Sequence, residues 1–104
     1  MTFPDRITQL PRFDGPFDAN RLAANGCEVL FASYPPGTVI EPHAHRTDNI
    51  GVITAGRLHL TIDAAETTYL PGDWYEVPAG TVHSARFDVP TSEIELWFHV
   101  GGVA

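Results

Sequence analysis

The sequence contains no lysine and a single cysteine, Cys27. The lack of lysine excludes Schiff-base catalysis, serine–lysine nucleophile pairs and lysine-dependent phosphate loops. One cysteine cannot form an internal disulfide or a zinc site built from several thiolates. Because no histidine neighbours it in the sequence, Cys27 is predicted to be a small buried apolar residue rather than a nucleophile.

Positive charge is also scarce, because six arginines stand against 13 acidic residues and the net charge is −7. So acidic a chain binds nucleic acid and anionic membranes poorly, and we expect neither as a direct partner. The charge is compatible with a site for a cation and a small molecule.

No apolar run approaches the roughly 20 residues needed to cross a bilayer. The first residues do not have the pattern of a signal peptide, so we expect a cytoplasmic protein. The 104 residues suit one domain with a thin core, which oligomerisation would help to stabilise.

Residues 1–26 predict a short irregular arm, since three prolines and a glycine interrupt its first 17 residues. The apolar residues between them are expected to pack on the rest of the protein or on a partner subunit. Within the arm, residues 18–25 favour one or two helical turns, with Asp18 as the N-cap and Gly26 as the stop.

From residue 27 onward the pattern changes to short strands separated by turns. The predicted strands cover residues 27–34, 38–45, 49–55, 57–63, 66–70, 74–78, 83–89 and 92–100. Eight short strands with regular turn signals predict an all-β sandwich, barrel or jelly roll.

Three histidines are spaced as metal ligands. His43 and His45 lie two residues apart on one predicted strand and so share a face of it, and His83 follows a later turn rich in glycine and proline. Neutral imidazole suits Fe, Zn, Ni and Cu, so we predict a divalent transition metal at these residues. Direct binding of a ligand by the histidines is the alternative.

The histidines fall within two motifs of fixed spacing. In the first, five residues separate Gly37 from His43-Ala44-His45. Asn49 follows after three more residues, and Gly56 after a further six. This motif resembles the first motif of the cupin superfamily, which has glutamate where Asn49 stands.

The second motif begins at Gly72, and five residues separate that glycine from Pro78-Ala79-Gly80. His83 follows after two residues, and Phe87 stands where cupins commonly have asparagine. The two motifs in this order, with 15 residues between them, resemble those of small single-domain bacterial cupins.

The resemblance implies a fold and a range of functions. The fold is an all-β double-stranded β-helix, which is a jelly-roll barrel, formed here by residues 27–104 after the arm of residues 1–26. Small cupins are usually homodimers, so we expect a homodimer. Cupins include oxygenases, isomerases, lyases, sugar binders and sensors, so the fold does not specify the activity.

Asn49 is the informative departure from the cupin motif. Its amide is neutral, so an anionic ligand from solvent or substrate should bind the metal well. Asn49 could coordinate the metal, hydrogen-bond to an imidazole or contact a substrate. Glu41 could supply the missing carboxylate if the strand continues through Pro42, although a solvated rim position is the simpler interpretation.

Strand phase predicts further residues around the metal cavity. Tyr75, Phe87 and Leu96 are expected to line it, although plain core packing would explain them equally well. His59 and His99 lie on polar strand faces and are predicted to be surface residues rather than ligands.

The leading functional hypothesis is a metal-binding cupin. As an enzyme it would be a dioxygenase or isomerase acting on a small anionic or enolisable molecule. The alternative is a non-catalytic small-molecule sensor, because residues 43–87 are also similar to the ligand-binding domain of arabinose-type transcription regulators.

Overall fold

The computed structural model describes residues 3–99. Runs rich in β-branched and aromatic residues form strands, and glycine and proline occupy the turns between them. The elements are α1 (Asp5–Thr8), β1 (Asp18–Ala24), β2 (Cys27–Tyr34), β3 (Thr38–His43), β4 (Thr47–Ala55), β5 (Leu58–Ile62), β6 (Ala65–Tyr69), β7 (Trp74–Val77), β8 (His83–Phe87) and β9 (Thr91–His99). The predicted all-β fold is confirmed. Within the described residues, no helix is long and apolar enough to span a membrane.

The strands form two antiparallel sheets. The order is β1-β2-β9-β4-β7 in the five-stranded sheet and β3-β8-β5-β6 in the four-stranded sheet. The chain crosses repeatedly from one sheet to the other, which gives the jelly-roll arrangement. Apolar side chains from both sheets, including Leu30 and Ile53 from one and Leu60 and Phe87 from the other, form the core between them.

The strands predicted from residue 27 onward correspond to β2–β9. β2 has the predicted bounds, whereas β3 ends two residues earlier than predicted, after its register with β8 shifts between Ile40 and His43. Val100, the last residue of the final predicted strand, lies outside the described residues.

Residues 18–25 do not form the predicted helical turns. Residues 18–24 are β1, which pairs with β2 along its whole length in antiparallel register. Gly26 lies in the hairpin loop with a φ of 76°, a conformation that tight hairpins require. The local capping signals were misleading, because so short a helix gains less than a strand that can complete a sheet edge.

The N-terminal part of the arm packs on its own barrel. The side-chain amide of Asn20 on β1 donates hydrogen bonds to the carbonyls of Thr8 at 3.3 Å and Leu10 at 3.0 Å. The rings of Phe3 and Phe31 meet edge to face, with centroids 5.6 Å apart. These contacts hold α1 against the outer face of the five-stranded sheet.

Candidate metal centre

The three predicted histidine ligands converge in the cavity between the sheets. His43 ends β3 and His83 begins β8, and the two residues pair across the four-stranded sheet. His45 lies two residues beyond His43. One ring nitrogen of each histidine lies within 4.8 Å of the others, and the Nε2 atoms of His43 and His45 are 2.9 Å apart. One ion could therefore contact all three rings.

Backbone carbonyls orient two of the imidazoles. Nδ1 of His43 lies 2.7 Å from the carbonyl oxygen of Glu41, and Nδ1 of His83 lies 3.0 Å from that of Thr81. A carbonyl oxygen only accepts, so each Nδ1 carries the proton and donates. Each Nε2 then keeps its lone pair, which is the tautomer needed to bind an ion through that atom.

Partial burial favours the neutral form of the histidines. Loss of hydration, followed by repulsion from His43 and His83, lowers the pKa of His45 to about 4. Loss of hydration also lowers the pKa of His83. Both rings are therefore neutral at pH 7, and neutral imidazole is the form that binds transition metals.

The turn before His83 is tied to the segment that carries His45. The N–H of Gly80 donates to the carbonyl of His45 at 2.8 Å, and Gly80 has a φ of 80°, which a residue with a Cβ adopts at a cost. The N–H of Ala79 donates to the carboxylate of Asp48, also at 2.8 Å. The bonds hold the turn in place, and the positive φ explains why glycine suits this position.

Asn49 on β4 is buried and lines the same cavity as the histidines. Its Oδ1 accepts a hydrogen bond of 2.6 Å from the hydroxyl of Thr47. That bond fixes the orientation of the amide and uses one of the two lone pairs on Oδ1. Coordination of a metal by Asn49 stays a prediction.

Glu41 lies outside the cavity, which corrects its predicted place among the lining residues. The register shift between Ile40 and His43 breaks the strict alternation of β3, so Glu41 and His43 do not share a face. The side chain of Glu41 is exposed and borders a separate groove. Only its backbone carbonyl serves the site, as the acceptor for His43.

The cavity has a volume of about 620 Å³, which is in the range of small-molecule sites. Tyr75 and Phe87 line it, together with Asn49 and the three histidines. The arm contributes Phe13 and Phe17, whose ring centroids are 4.8 Å apart. The walls are therefore mainly apolar and aromatic, with polar groups at a few places.

Leu96 does not line the cavity, because β9 presents its other face. Glu93, Glu95 and Trp97 line the cavity, and alternation along the strand directs Leu96 to the outer face. The prediction for Leu96 placed the apolar face of β9 inside. The structure turns the other face inward, because Glu93 and Glu95 find hydrogen-bond donors there.

Both buried glutamates accept hydrogen bonds from side chains of the cavity wall. Glu95 accepts from the hydroxyl of Tyr34 at 2.6 Å and from the indole N–H of Trp97 at 3.0 Å. Glu93 accepts from the hydroxyl of Tyr75 at 2.6 Å. Burial, reinforced by the adjacent Glu95, raises the pKa of Glu93 well above its ordinary value. Sequence reasoning missed this cluster, because its partners come from three different strands.

The remaining candidates lie apart from the three histidines. His59 is buried, contrary to its predicted surface position, and its ring nitrogens bond to Thr68 at 2.8 Å and Asp88 at 3.0 Å. His99 is exposed, as predicted. Cys27 is buried, also as predicted.

Comparison with known protein families gives a match to the cupin domain over residues 30–98. Quercetin 2,3-dioxygenase of Bacillus subtilis (strain 168) is 30% identical over 78 residues, which are 74% of this chain and 23% of that protein. H2HPP isomerase of Bacillus subtilis is 35% identical over 70 residues, which are 66% of this chain and 30% of that protein. The chain thus spans less than a third of the length of either relative.

Solved structures show the same fold. A Cupin 2 conserved barrel domain protein from Salinispora arenicola CNS-205 has a TM-score of 0.76 and 25% identity, with 99% of this chain and 91% of that chain covered. KdgF from Halomonas sp. has a TM-score of 0.73 and 24% identity, with coverages of 79% and 77%. Because the family match covers most of its length, the chain belongs to the cupin domain family.

Proposed function

We propose that this cupin binds a divalent transition metal through His43, His45 and His83 and acts on a small molecule in the adjoining cavity. The convergence of three ring nitrogens within 4.8 Å is the observation that carries the proposal. Iron, zinc, nickel and copper all suit this set of donors. A bound metal would supply Lewis acidity or activate a bound small molecule, and Asn49 would be a further ligand or substrate contact.

The proposed reaction is dioxygenation or isomerisation of a small anionic or enolisable molecule. Three neutral imidazoles and a neutral amide bring no negative charge to a metal, so an anionic group of the substrate would be attracted to it. The mainly apolar and aromatic walls would exclude water around the rest of the molecule and strengthen that attraction. The relatives named quercetin 2,3-dioxygenase and H2HPP isomerase support these two reaction classes.

Metal binding is tested by anaerobic purification followed by elemental analysis. We expect about one metal ion per chain in the native protein, the number that one three-histidine site holds. His45→Ala and His83→Ala should each lose most of it, because two imidazoles alone hold a metal weakly. His99→Ala, which changes an exposed histidine, is the matched control and should keep the metal. A double variant of His45 and His83 with undiminished metal would contradict the assignment.

Turnover is tested with the metal-loaded protein. Oxygen uptake with flavonols and keto–enol interconversion of 2-oxo acids cover the two proposed reaction classes. We expect activity that disappears in His83→Ala and survives in His99→Ala. Tight ligand binding without any turnover would contradict the catalytic part of the proposal and indicate a sensor instead.

A further inference from the structure

The cavity contains a second polar group that the proposed metal centre does not use. Glu93 and Glu95 are adjacent inward-facing residues of β9, with exposed fractions of 2% and 5%. Neutral donors reach three of their four oxygens, namely the hydroxyls of Tyr34 and Tyr75 and the indole N–H of Trp97. Oε2 of Glu93 accepts no hydrogen bond from any N–H or O–H donor within residues 3–99.

The two carboxyl groups are inward-facing neighbours on one strand, and both are almost fully buried. Burial, reinforced by the adjacent Glu95, raises the pKa of Glu93 well above its ordinary value. Two buried carboxyl groups that are neighbours resist ionising together, because each charge disfavours the other. The pair therefore presents at most one negative charge to the cavity.

Nothing in the described part of the chain neutralises that charge. The ion pairs of arginine and histidine within residues 3–99 use other acidic residues. The surroundings of the pair are aromatic instead: Tyr34 stacks on Phe87 with centroids 4.2 Å apart, and Tyr75 lies against the pair through its hydroxyl. Aromatic faces attract cations, and more strongly when water is excluded.

We propose that the Glu93–Glu95 pair is a second recognition site in the cavity and binds the ammonium group of a ligand. The ligand is then dipolar, with an anionic group at the histidines and an amine at the glutamates. The position of the anionic group rests on the proposed metal function, whereas the ammonium site does not require it.

Trp97 contacts both a histidine of the proposed metal centre and a member of the glutamate pair. Its ring centroid lies 4.8 Å from that of His45, and its N–H contacts Glu95. Residues that point to the same side of a strand are about 6.6 Å apart. Glu95 therefore lies about 6.6 Å along β9 from Trp97, whose ring lies beside His45. Short ω-amino acids, from β-alanine to 6-aminohexanoate, span this range of separations and serve as probes.

The experiment compares each ω-amino acid with the fatty acid that has a methyl group in place of the ammonium, by calorimetry on the zinc-loaded protein. Pentanoate is the partner of 4-aminobutanoate. We expect at least one amino acid in the series to bind about tenfold more tightly than its partner, a difference of about 1.4 kcal/mol. Nuclear Overhauser effects should place the methylene next to nitrogen beside the rings of Tyr34 and Tyr75.

The decisive variant carries both Glu93→Gln and Glu95→Gln, because a single glutamine leaves one carboxyl able to ionise. It should lose the preference for the amine and keep the affinity for pentanoate. Glu76→Gln removes an exposed carboxyl from the outer face of β7 and should change neither affinity. If the double variant does not fold, the comparison of each amino acid with its fatty-acid partner in the native protein still tests the ammonium site.

Equal affinities for every amino acid and its partner would overturn the proposal. A preference for 4-hydroxybutanoate over 4-aminobutanoate would also overturn it, because a neutral donor would then be the occupant. The affinities of metal-free protein for butylamine and for 1-butanol test the ammonium site separately from the proposed metal function. A preference for butylamine supports the ammonium site even where zinc does not bind, and no preference contradicts it even where zinc binds.

Discussion

Asn49 is the residue that distinguishes this site from the cupin motif with glutamate at that place. Its amide oxygen is neutral and is oriented by the hydroxyl of Thr47 at 2.6 Å. The spacing of the motif was enough to single out Asn49 in the sequence. The bond to Thr47 was not foreseen, because any polar neighbour could have oriented the amide.

Asn49→Glu should tighten metal binding by roughly tenfold to a hundredfold, because a carboxylate adds charge to the set of neutral ligands. Added anions such as azide should bind the metal-loaded variant more weakly than the native protein. Chelator competition and anion titration measure the two effects. Asn49→Leu is the control that removes the amide without adding charge, and an equal gain in metal affinity there would contradict the explanation.

The buried Glu93 leads to a separate prediction, about how the stability of the protein depends on pH. Its raised pKa means that the folded chain binds this proton more tightly than the unfolded chain. Stability therefore falls as pH rises from the ordinary glutamate pKa of about 4.3 toward the raised value, by at most roughly 1.4 kcal/mol per pH unit. Glu95, Tyr34 and Tyr75 are the titratable groups that face Glu93. All three are unchanged when Glu93 is replaced by glutamine.

Glu93→Gln should remove this fall in stability, which urea unfolding at a series of pH values from 4 upward measures. The free energy of unfolding of the variant, relative to the native protein, should increase with pH. Glu76→Gln, whose carboxyl is exposed, should run parallel to the native protein. Parallel curves for Glu93→Gln as well would show that Glu93 is not held protonated by the fold.

At the scale of the element, β9 shows how alternation identifies two faces without saying which one is inside. The sequence predicts the strand and the separation of its apolar side chains from Glu93, Glu95 and Trp97. Burial of the acidic face depends on hydroxyl donors from β2 and β7, which are distant in the sequence. The apolar face of β9 points outward instead.

Gly51 on β4 is the element-scale feature that positions Tyr75. A Cβ at Gly51 would lie 2.3 Å from ring carbons of Tyr75 and 2.4 Å from its hydroxyl oxygen. Gly51→Ala should therefore destabilise the protein by about 1–3 kcal/mol, as overpacking does. It should also displace the hydroxyl that donates to Glu93.

Thermal or urea unfolding measures the loss, and a double-mutant cycle identifies its cause. In a Tyr75→Ala background the clashing ring is absent, so Gly51→Ala should cost little. An unchanged cost in that background would mean that the strand, rather than Tyr75, requires glycine.

At the scale of the whole molecule, the outer face of the five-stranded sheet is more apolar than a face that meets only water usually is. Its central rows include Val29, Phe31, Ile50, Val52, Ile94 and Leu96, which pair across β2, β9 and β4. Phe3, just before α1, covers part of this face through its contact with Phe31. Trp74 and Leu22, at its two edges, are 61% and 46% exposed.

We propose that a second copy of the chain covers this face, because a domain of this size gains core area by dimerising. Light scattering should give twice the mass of one chain for the native protein. Trp74→Ser combined with Leu22→Ser should shift the mass toward the monomer. Val39→Ser, which changes a residue of the other sheet that is 63% exposed, should not. A native monomer at micromolar concentration would contradict the proposal.

The sequence by itself determined the strands from residue 27 onward, the cupin fold and the candidate histidines. These features depend on local alternation, turn residues and fixed motif spacing, all of which are read along the chain. Only the tertiary structure decided that residues 18–24 complete the sheet, that Glu41 faces away, and that Glu93 and Glu95 face inward. Each of these depends on pairing or hydrogen bonding between distant segments, because a buried glutamate is tolerated only where another strand brings it a donor.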